Sequence, residues 1–187
     1  MRSTLPLFAL ALASAAPVLA TETVPVPGFR SVELRGGGDV TVVPGPAQRV
    51  TIIEGSSQFT RMRVDRTGKL KIDACNERCP HLYHLRIQIE SPRVPDLGIS
   101  GGGMINVRGG FRQQSQLSAA VNGGGKIDAR ALDAGNVSAA VNGGGELLVR
   151  ARSDLSAAVN GGGLVRYWGN PRVSSAIHGG GAVAPGR

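Results

Sequence analysis

Apolar and polar residues alternate strictly in four segments of the second half of the chain. A period of two is typical of a β-strand that buries one face. We therefore expect a strand in each segment, with every second residue buried and the serine and asparagine residues between them exposed. The expected inward residues are Leu117, Ala119 and Val121, then Val137, Ala139 and Val141, then Leu155, Ala157 and Val159, and finally Val173, Ser175 and Ile177.

Each alternating segment ends in a glycine triplet, and the two together form a repeat. The octapeptide Ser-Ala-Ala-Val-Asn-Gly-Gly-Gly begins at Ser118, Ser138 and Ser156, and degenerate copies span 97–103 and 174–181. The triplets start at positions 101, 123, 143, 161 and 179, so successive repeats are 22, 20, 18 and 18 residues long. A repeat this short indicates units that each pack against their own copies.

The glycine triplets predict the corners of a stacked coil. Glycine adopts positive φ freely and permits close backbone approach. A second short strand is expected after each triplet, with an apolar residue at its second position: Ile105, Ile127, Leu147, Val165 and Val183. A unit of this length has no room for a helix. The pattern therefore predicts an all-β fold, a single-stranded β-helix or β-solenoid with stacked Gly-triplet corners and rungs about 4.8 Å apart.

Asparagine precedes three of the triplets, at Asn122, Asn142 and Asn160, and His178 takes that place in the last repeat. In a stacked coil these residues form a corner ladder of amides, which His178 ends. We interpret the ladder as structural. A row of asparagines that contacts a ligand is the alternative.

The chain divides into a leader and a single domain. Arg2 followed by the apolar stretch 5–16 and Val18-Leu19-Ala20 predicts a signal peptide, residues 1–20, cleaved before Thr21. Residues 21–187 are then one domain, with regular repeats over 93–187 and irregular rungs or a hairpin cap over 21–92. No segment is long and apolar enough to predict a transmembrane helix.

Charge narrows the expected partners of an exported protein. The formal net charge is +8, and aromatic residues make up only 4% of the chain. Few rings disfavour a large aromatic-lined ligand cavity. A basic surface favours anionic glycans or envelope components, whereas nucleic acid is not expected in that compartment, and no cofactor is indicated.

Three arginines share one phase of the repeat. Arg108, Arg130 and Arg150 each lie eight residues after the corner position. Stacking would place them on one face, either as a solvated row or as a stripe that binds an anionic ligand through planar guanidinium groups. No row of carboxylates or histidines recurs at a fixed offset, so an enzyme is not predicted.

The two cysteines, Cys75 and Cys79, have His81 and His84 close behind them. In an exported protein such a pair usually forms a disulfide, which we predict here. The alternatives are a compressed zinc site of two cysteines and two histidines or a pair of free thiols.

The short motifs Gly103-Met104-Ile105-Asn106 and Gly125-Lys126-Ile127-Asp128 resemble those of the head GIN domain family. This family is also called the auto-transporter adhesin head domain, or domain of unknown function 2807. The start of the mature chain is similar too, with Phe29, Val32, Leu34 and Gly36 followed by Asp-Val-Thr-Val at 39–42. The resemblance covers roughly 24–183. It implies a pectin-lyase-like β-helix and an adhesive role, and it supplies no catalytic residues.

The sequence thus predicts an exported, non-enzymatic β-solenoid in the periplasm, the cell envelope or the secreted fraction. An adhesion or binding module is the leading hypothesis. A polysaccharide-active enzyme on a β-helix and a purely structural envelope protein are the alternatives.

Overall fold

The computed structural model describes residues 21–76 and 78–186, and these residues form only strands and turns. The all-β class is confirmed. Within these ranges no helix has the length and hydropathy needed to cross a membrane. The strands are β1 (Glu22–Val24), β2 (Ser31–Gly36), β3 (Asp39–Pro44), β4 (Arg49–Glu54), β5 (Arg61–Val64), β6 (Lys69–Asp73), β7 (Arg86–Ser91), β8 (Asp96–Gly101), β9 (Met104–Val107), β10 (Gln114–Gly123), β11 (Lys126–Gly143), β12 (Glu146–Asn160), β13 (Leu164–Trp168), β14 (Arg172–His178) and β15 (Ala182–Pro185).

Two ladders of parallel strands run through the sheet. The first ladder has the order β6-β2-β8-β10-β11-β12-β14. The second has the order β7-β3-β9-β11-β12-β13-β15. The long strands β11 and β12 belong to both, because the first half of each pairs within the second ladder and the second half pairs within the first ladder. Each regular repeat therefore adds one strand to each ladder, with a glycine triplet where the chain passes from the first ladder to the second.

The repeated words stack in register. Val121 pairs with Val141 and Val141 with Val159, so the inward valines form one column across three repeats. All three are fully buried. The alternating serines Ser118, Ser138 and Ser156 form a matching exposed row on the other face. These positions agree with the alternation, since a pleated strand turns every second side chain to the same face.

The glycines of a triplet meet different demands. The first, as at Gly143, has φ of +117°, a conformation that costs an L-residue roughly 1–2 kcal/mol. A Cβ at the third, Gly145, would lie 2.6 Å from the carbonyl oxygen of Gly125 in the repeat below and too close to Val121 Cγ1. The middle glycine, Gly144, faces open space. In this triplet positive φ is required at the first position, whereas close approach to the repeat below restricts both the first and the third, since a Cβ at Gly143 would lie 2.7 Å from the carbonyl oxygen of Gly123.

The N-terminal end of both ladders is closed by antiparallel strands. β5 pairs antiparallel with β6 at the end of the first ladder. β4 pairs antiparallel with β7 at the end of the second ladder, and β1 pairs antiparallel with β4. Strands β2 and β3 continue the stack of repeats. They pair in register with β8 and β9, and Gly36 aligns with Gly101.

The last repeat departs from the predicted burial. β14 forms as a strand, but Val173 and Ile177 are 41% and 43% exposed, so the expectation of a buried face there is wrong. The reason is the position of the strand: β14 pairs only with β12, and no described strand covers its other side. Alternation fixes which side chains point inward, whereas burial also requires a following repeat.

Candidate ligand-binding groove

The three arginines of one repeat phase line a single groove. Arg108 follows β9, and Arg130 and Arg150 lie within β11 and β12. All three line a shallow cavity of about 330 Å³ together with Asn106, Asp128 and Trp168. Lys126 pairs with Met104 on one side and with Glu146 on the other. The same register continues into the residues that follow and therefore aligns the arginines of successive repeats. The arginine stripe predicted from the sequence is accordingly brought together on one face.

Carboxylates accompany two of these arginines. Arg130 donates two hydrogen bonds to Asp128, from Nε to Oδ1 at 2.9 Å and from Nη2 to Oδ2 at 2.6 Å. Arg150 Nε lies 3.6 Å from Asp133 Oδ1 and donates to the backbone carbonyl of Arg130 at 3.2 Å. Among the described residues, none pairs as an ion with Arg108. Carboxylates of the protein therefore offset the positive charge of Arg130 and Arg150, but not that of Arg108.

Trp168 adds an aromatic surface that was not predicted from the sequence. The guanidinium carbon of Arg130 lies 5.0 Å from the centroid of the Trp168 ring, in cation–π range. Trp168 pairs with Arg150 across β12 and β13. The signal was available in the sequence: Trp168 follows Asn160 by eight residues, the same offset that defines the arginine row.

The charge state of Asp128 does not suit proton transfer to a leaving group. Burial raises the pKa of Asp128, but the hydrogen bonds and positive charge of Arg130 together outweigh burial and leave the pKa below its ordinary value. The same pair raises the pKa of Arg130. A general acid requires the opposite shift. The groove presents charged groups, the amide of Asn106 and the ring of Trp168 side by side.

The asparagines of the corners form a chain of hydrogen bonds. Asn142 donates from Nδ2 to Asn122 Oδ1 and Asn160 donates to Asn142 Oδ1, each at 2.8 Å. His178 pairs with Asn160 in the register of β12 and β14, and its backbone carbonyl accepts a hydrogen bond from Gly161. Asn142 thus uses both its side-chain oxygen and its side-chain nitrogen along the ladder, whereas Asn122 contributes its oxygen and Asn160 its nitrogen.

Cys75 and Cys79 are joined as a disulfide with their Cα atoms 5.7 Å apart. His81 and His84 are exposed. In the described part of the chain, no three or more His, Cys, Asp or Glu side chains are grouped as metal ligands. In this disulfide form the sulfurs are not available as thiolate ligands for zinc.

The predicted signal peptide, residues 1–20, lies outside the described residues. Its cleavage therefore stays a prediction from the sequence.

Comparison with solved structures shows where this fold has been seen before. A structure described as a "putative adhesin" from Bacteroides fragilis NCTC 9343 has a TM-score of 0.54 at 18% identity, over 89% of this chain and 96% of that one. A "putative lipid binding protein" from Parabacteroides distasonis ATCC 8503 has a TM-score of 0.41 at 17% identity, over 90% and 96%. A "putative adhesin" from Parabacteroides merdae ATCC 43184 has a TM-score of 0.40 at 15% identity, also over 90% and 96%. The first of these shares the fold of the chain.

No curated protein matches the chain. The family model described as "Putative auto-transporter adhesin, head GIN domain" matches residues 113–171. This segment holds the three faithful copies of the repeat, and it includes Arg130, Arg150 and Trp168 of the groove. The resemblance carried by the glycine words is therefore confirmed, and residues 113–171 are a match to the head GIN domain family.

Proposed function

We propose that the protein is an exported, non-enzymatic binding module that holds anionic glycans of the cell envelope in the arginine groove. The observation that carries the proposal is the convergence of Arg108, Arg130, Arg150 and Trp168 on one cavity. The two parallel ladders are consistent with two faces of a single-stranded β-helix. On that interpretation residues 21–187 form one domain, released by cleavage after Ala20.

The chemistry of the groove suits an acidic sugar. An aromatic ring offers an apolar surface for a pyranose face, while amide and carboxylate oxygens such as those of Asn106 and Asp128 accept hydrogen bonds from hydroxyl groups. Arg108 supplies an exposed guanidinium, and guanidinium forks match the geometry of a carboxylate or sulfate. Arg130 retains donors beyond the two that it gives to Asp128.

The family description favours adhesion over catalysis. The matched family is named for an adhesin rather than for an enzyme. A glycoside hydrolase needs a carboxyl group that stays protonated as the acid and a second carboxylate across the bond. Asp128, with its lowered pKa, does not meet the first requirement. Binding at the groove also separates the proposal from a purely structural envelope protein, which needs no ligand.

The test is binding of purified residues 21–187 to an acidic polysaccharide, with polygalacturonate as the probe and dextran as its neutral counterpart. We expect saturable binding to polygalacturonate. The binding should weaken steeply as the salt concentration rises from about 50 to about 300 mM, because the contacts are exposed and the Debye length shortens over this range. Replacing Arg108, Arg130 and Arg150 together by Gln should weaken this binding about tenfold or more.

A charge-matched variant distinguishes the groove from general basicity. Replacing the exposed arginines Arg49, Arg93 and Arg172 by Gln removes the same formal charge outside the groove. This variant should retain most of the binding, and Trp168→Ala should lose binding without any change in charge. Equal losses of binding in both triple variants would mean that the arginine stripe is only a solvated surface. This result would contradict the proposal.

A further inference from the structure

The first ladder ends on a strand whose outer edge is open. β14 pairs only with β12, and no described strand lies on its other side. Of the three large hydrophobic side chains that are exposed in the described part of the chain, two belong to this strand, Val173 and Ile177. Their pairing partners in β12, Leu155 and Val159, are buried. β14 therefore carries the side chains of an interior strand in an edge position.

The backbone of β14 is open on the same side. The carbonyl of His178 points to β12, where it accepts a hydrogen bond from the N–H of Gly161 at 2.8 Å. Successive residues of a parallel strand direct their N–H and C=O groups to opposite sides. Val173, Ser175 and Ile177 therefore direct theirs away from β12, where no described strand pairs with them. The residues with inward side chains thus also offer the hydrogen-bonding groups of the edge.

The other edges of the described sheet are protected by their length. β1, β5 and β15 each pair with one strand only, but they have three, four and four residues. β14 has seven residues. Short strands, proline and charge are the usual devices against edge pairing. β15 also ends at Pro185, which has no N–H, whereas β14 contains no proline.

The sequence of β14 complements its own reverse. In an antiparallel pair of two copies centred on Ser175, Val173 of one copy lies opposite Ile177 of the other, and Ser175 lies opposite Ser175. Such a pair uses the free N–H and C=O groups of all three residues in both copies. It also places their apolar side chains on one face that continues the core. A two-fold axis generates this arrangement, so it closes at two copies.

Charge favours this contact over the alternative end-to-end contact. The formal net charge is +8, so copies repel unless the contact is locally balanced. Arg172 is the only Lys, Arg, Asp or Glu in β14, and its Nε lies 2.9 Å from Asp154 Oδ1. Pairing of β14 with β5 of another copy would build an open filament. It would also bring Arg61 and Arg63 to β14, and neither strand contains a carboxylate.

We propose that a second copy of this chain covers the open edge of β14, and that the protein forms a closed dimer through two antiparallel β14 strands centred on Ser175. Seven residues per copy are fewer than the about 20–30 residues per side of a standard interface, so the dimer is weak. We expect a dissociation constant of about 1–100 µM. The proposal does not depend on the arginine groove.

The first test is sedimentation velocity of residues 21–187 at protein concentrations from about 1 to about 300 µM. We expect conversion of monomer into dimer without larger species. Val173→Lys combined with Ile177→Lys should weaken the dimer about tenfold or more, because these positions face each other across the two-fold axis. Both side chains are partly exposed, so this variant should still melt cooperatively. Gln116→Lys combined with Ser138→Lys adds the same charge at exposed positions of β10 and β11 and should dimerise as the parent does.

Cysteine cross-linking tests the register and decides the question if the lysine variant does not fold. Hydrogen-bonded residues of antiparallel strands have Cα atoms about 5.5 Å apart, within the span of a disulfide. Ser175→Cys should therefore oxidise to a covalent dimer at least about tenfold faster than the exposed control Ser138→Cys. Val173→Cys and Ile177→Cys should cross-link when they are mixed and not when each is oxidised alone. The two native cysteines do not interfere, because they are joined to each other.

The proposal is overturned if the chain stays monomeric up to about 300 µM, or if species larger than a dimer grow with concentration. It is also overturned if a folded Val173 and Ile177 variant dimerises as tightly as its lysine control, or if Ser175→Cys cross-links no faster than Ser138→Cys. Each of these outcomes leaves the polygalacturonate test of the groove unaffected.

Discussion

The third glycine of each triplet has no room for a side chain, and Gly145→Ala tests this most directly. A Cβ at Gly145 would lie 2.6 Å from Gly125 O, 3.2 Å from Gly123 O and too close to Val121 Cγ1. Val121 is fully buried, and the two oxygens belong to the backbone of the repeat below. None of these atoms is the free end of a flexible side chain, so the two repeats must move apart.

The size of the effect follows from two opposing contributions. Overpacking of a well-packed interior costs about 1–3 kcal/mol, and contacts with backbone on two sides favour the upper part of that range. Replacing glycine by alanine at negative φ reduces the entropy of the unfolded chain and offsets about 0.4–1 kcal/mol. We expect a net loss of about 2 kcal/mol in the free energy of unfolding, equivalent to a Tm about 4–8 °C lower.

Gly144→Ala is the matched control one residue away. A Cβ at Gly144 meets nothing within 4 Å, and Gly144 is not among the glycines with positive φ. This variant should be unchanged or slightly more stable. Urea and thermal unfolding of both variants, followed by circular dichroism and by the fluorescence of Trp168, give the comparison.

A double variant identifies the contact. Val121→Ala removes the methyl group that the new Cβ would meet, so Gly145→Ala combined with Val121→Ala should cost less than the sum of the two single changes. If Gly145→Ala proves as stable as Gly144→Ala, close packing between repeats is not the reason for the third glycine.

Four further outcomes are expected. Val141→Asp should abolish cooperative unfolding because it buries an unpaired charge, whereas the exposed Ser138→Asp should melt as the parent does; a folded Val141→Asp would contradict the core assignment. Asn142→Ala removes two ladder hydrogen bonds and Asn122→Ala removes one, so urea unfolding should show the larger loss for Asn142, about 1 kcal/mol, and equal losses would argue against the ladder. The stabilisation from Asp128 is present above its unfolded pKa of about 4 and is lost as pH falls through its lower folded pKa; the stability difference between the parent and Asp128→Asn should therefore shrink between pH 6 and pH 2.5, and a constant difference would refute the pairing. Intact-mass analysis of exported protein should show a chain that begins at Thr21, and retention of Met1 would refute the signal peptide.

The sequence by itself determined the strands and register of the repeats. Strict alternation identified the buried column of Val121, Val141 and Val159, because each strand turns alternate side chains to one face. The faithful copies also determined how strands stack, since a shift by one residue would move every valine to the exposed face. The common phase of Arg108, Arg130 and Arg150 followed from the same register.

Only the tertiary structure decided what lies beside these residues. The order of β4 to β7 depends on antiparallel pairings between segments that share no repeated word, so periodicity carried no information about it. Asp133 lies beside Arg150 because the register between β11 and β12 shifts between Ala129 and Ala134, where the two repeats differ in length. A cavity of about 800 Å³ is lined by Arg35, Arg61, Asp73 and Ser100, which come from four different strands. The exposure of Val173 and Ile177 follows from their place in the last repeat, because burial depends on a neighbour and alternation describes only the strand itself.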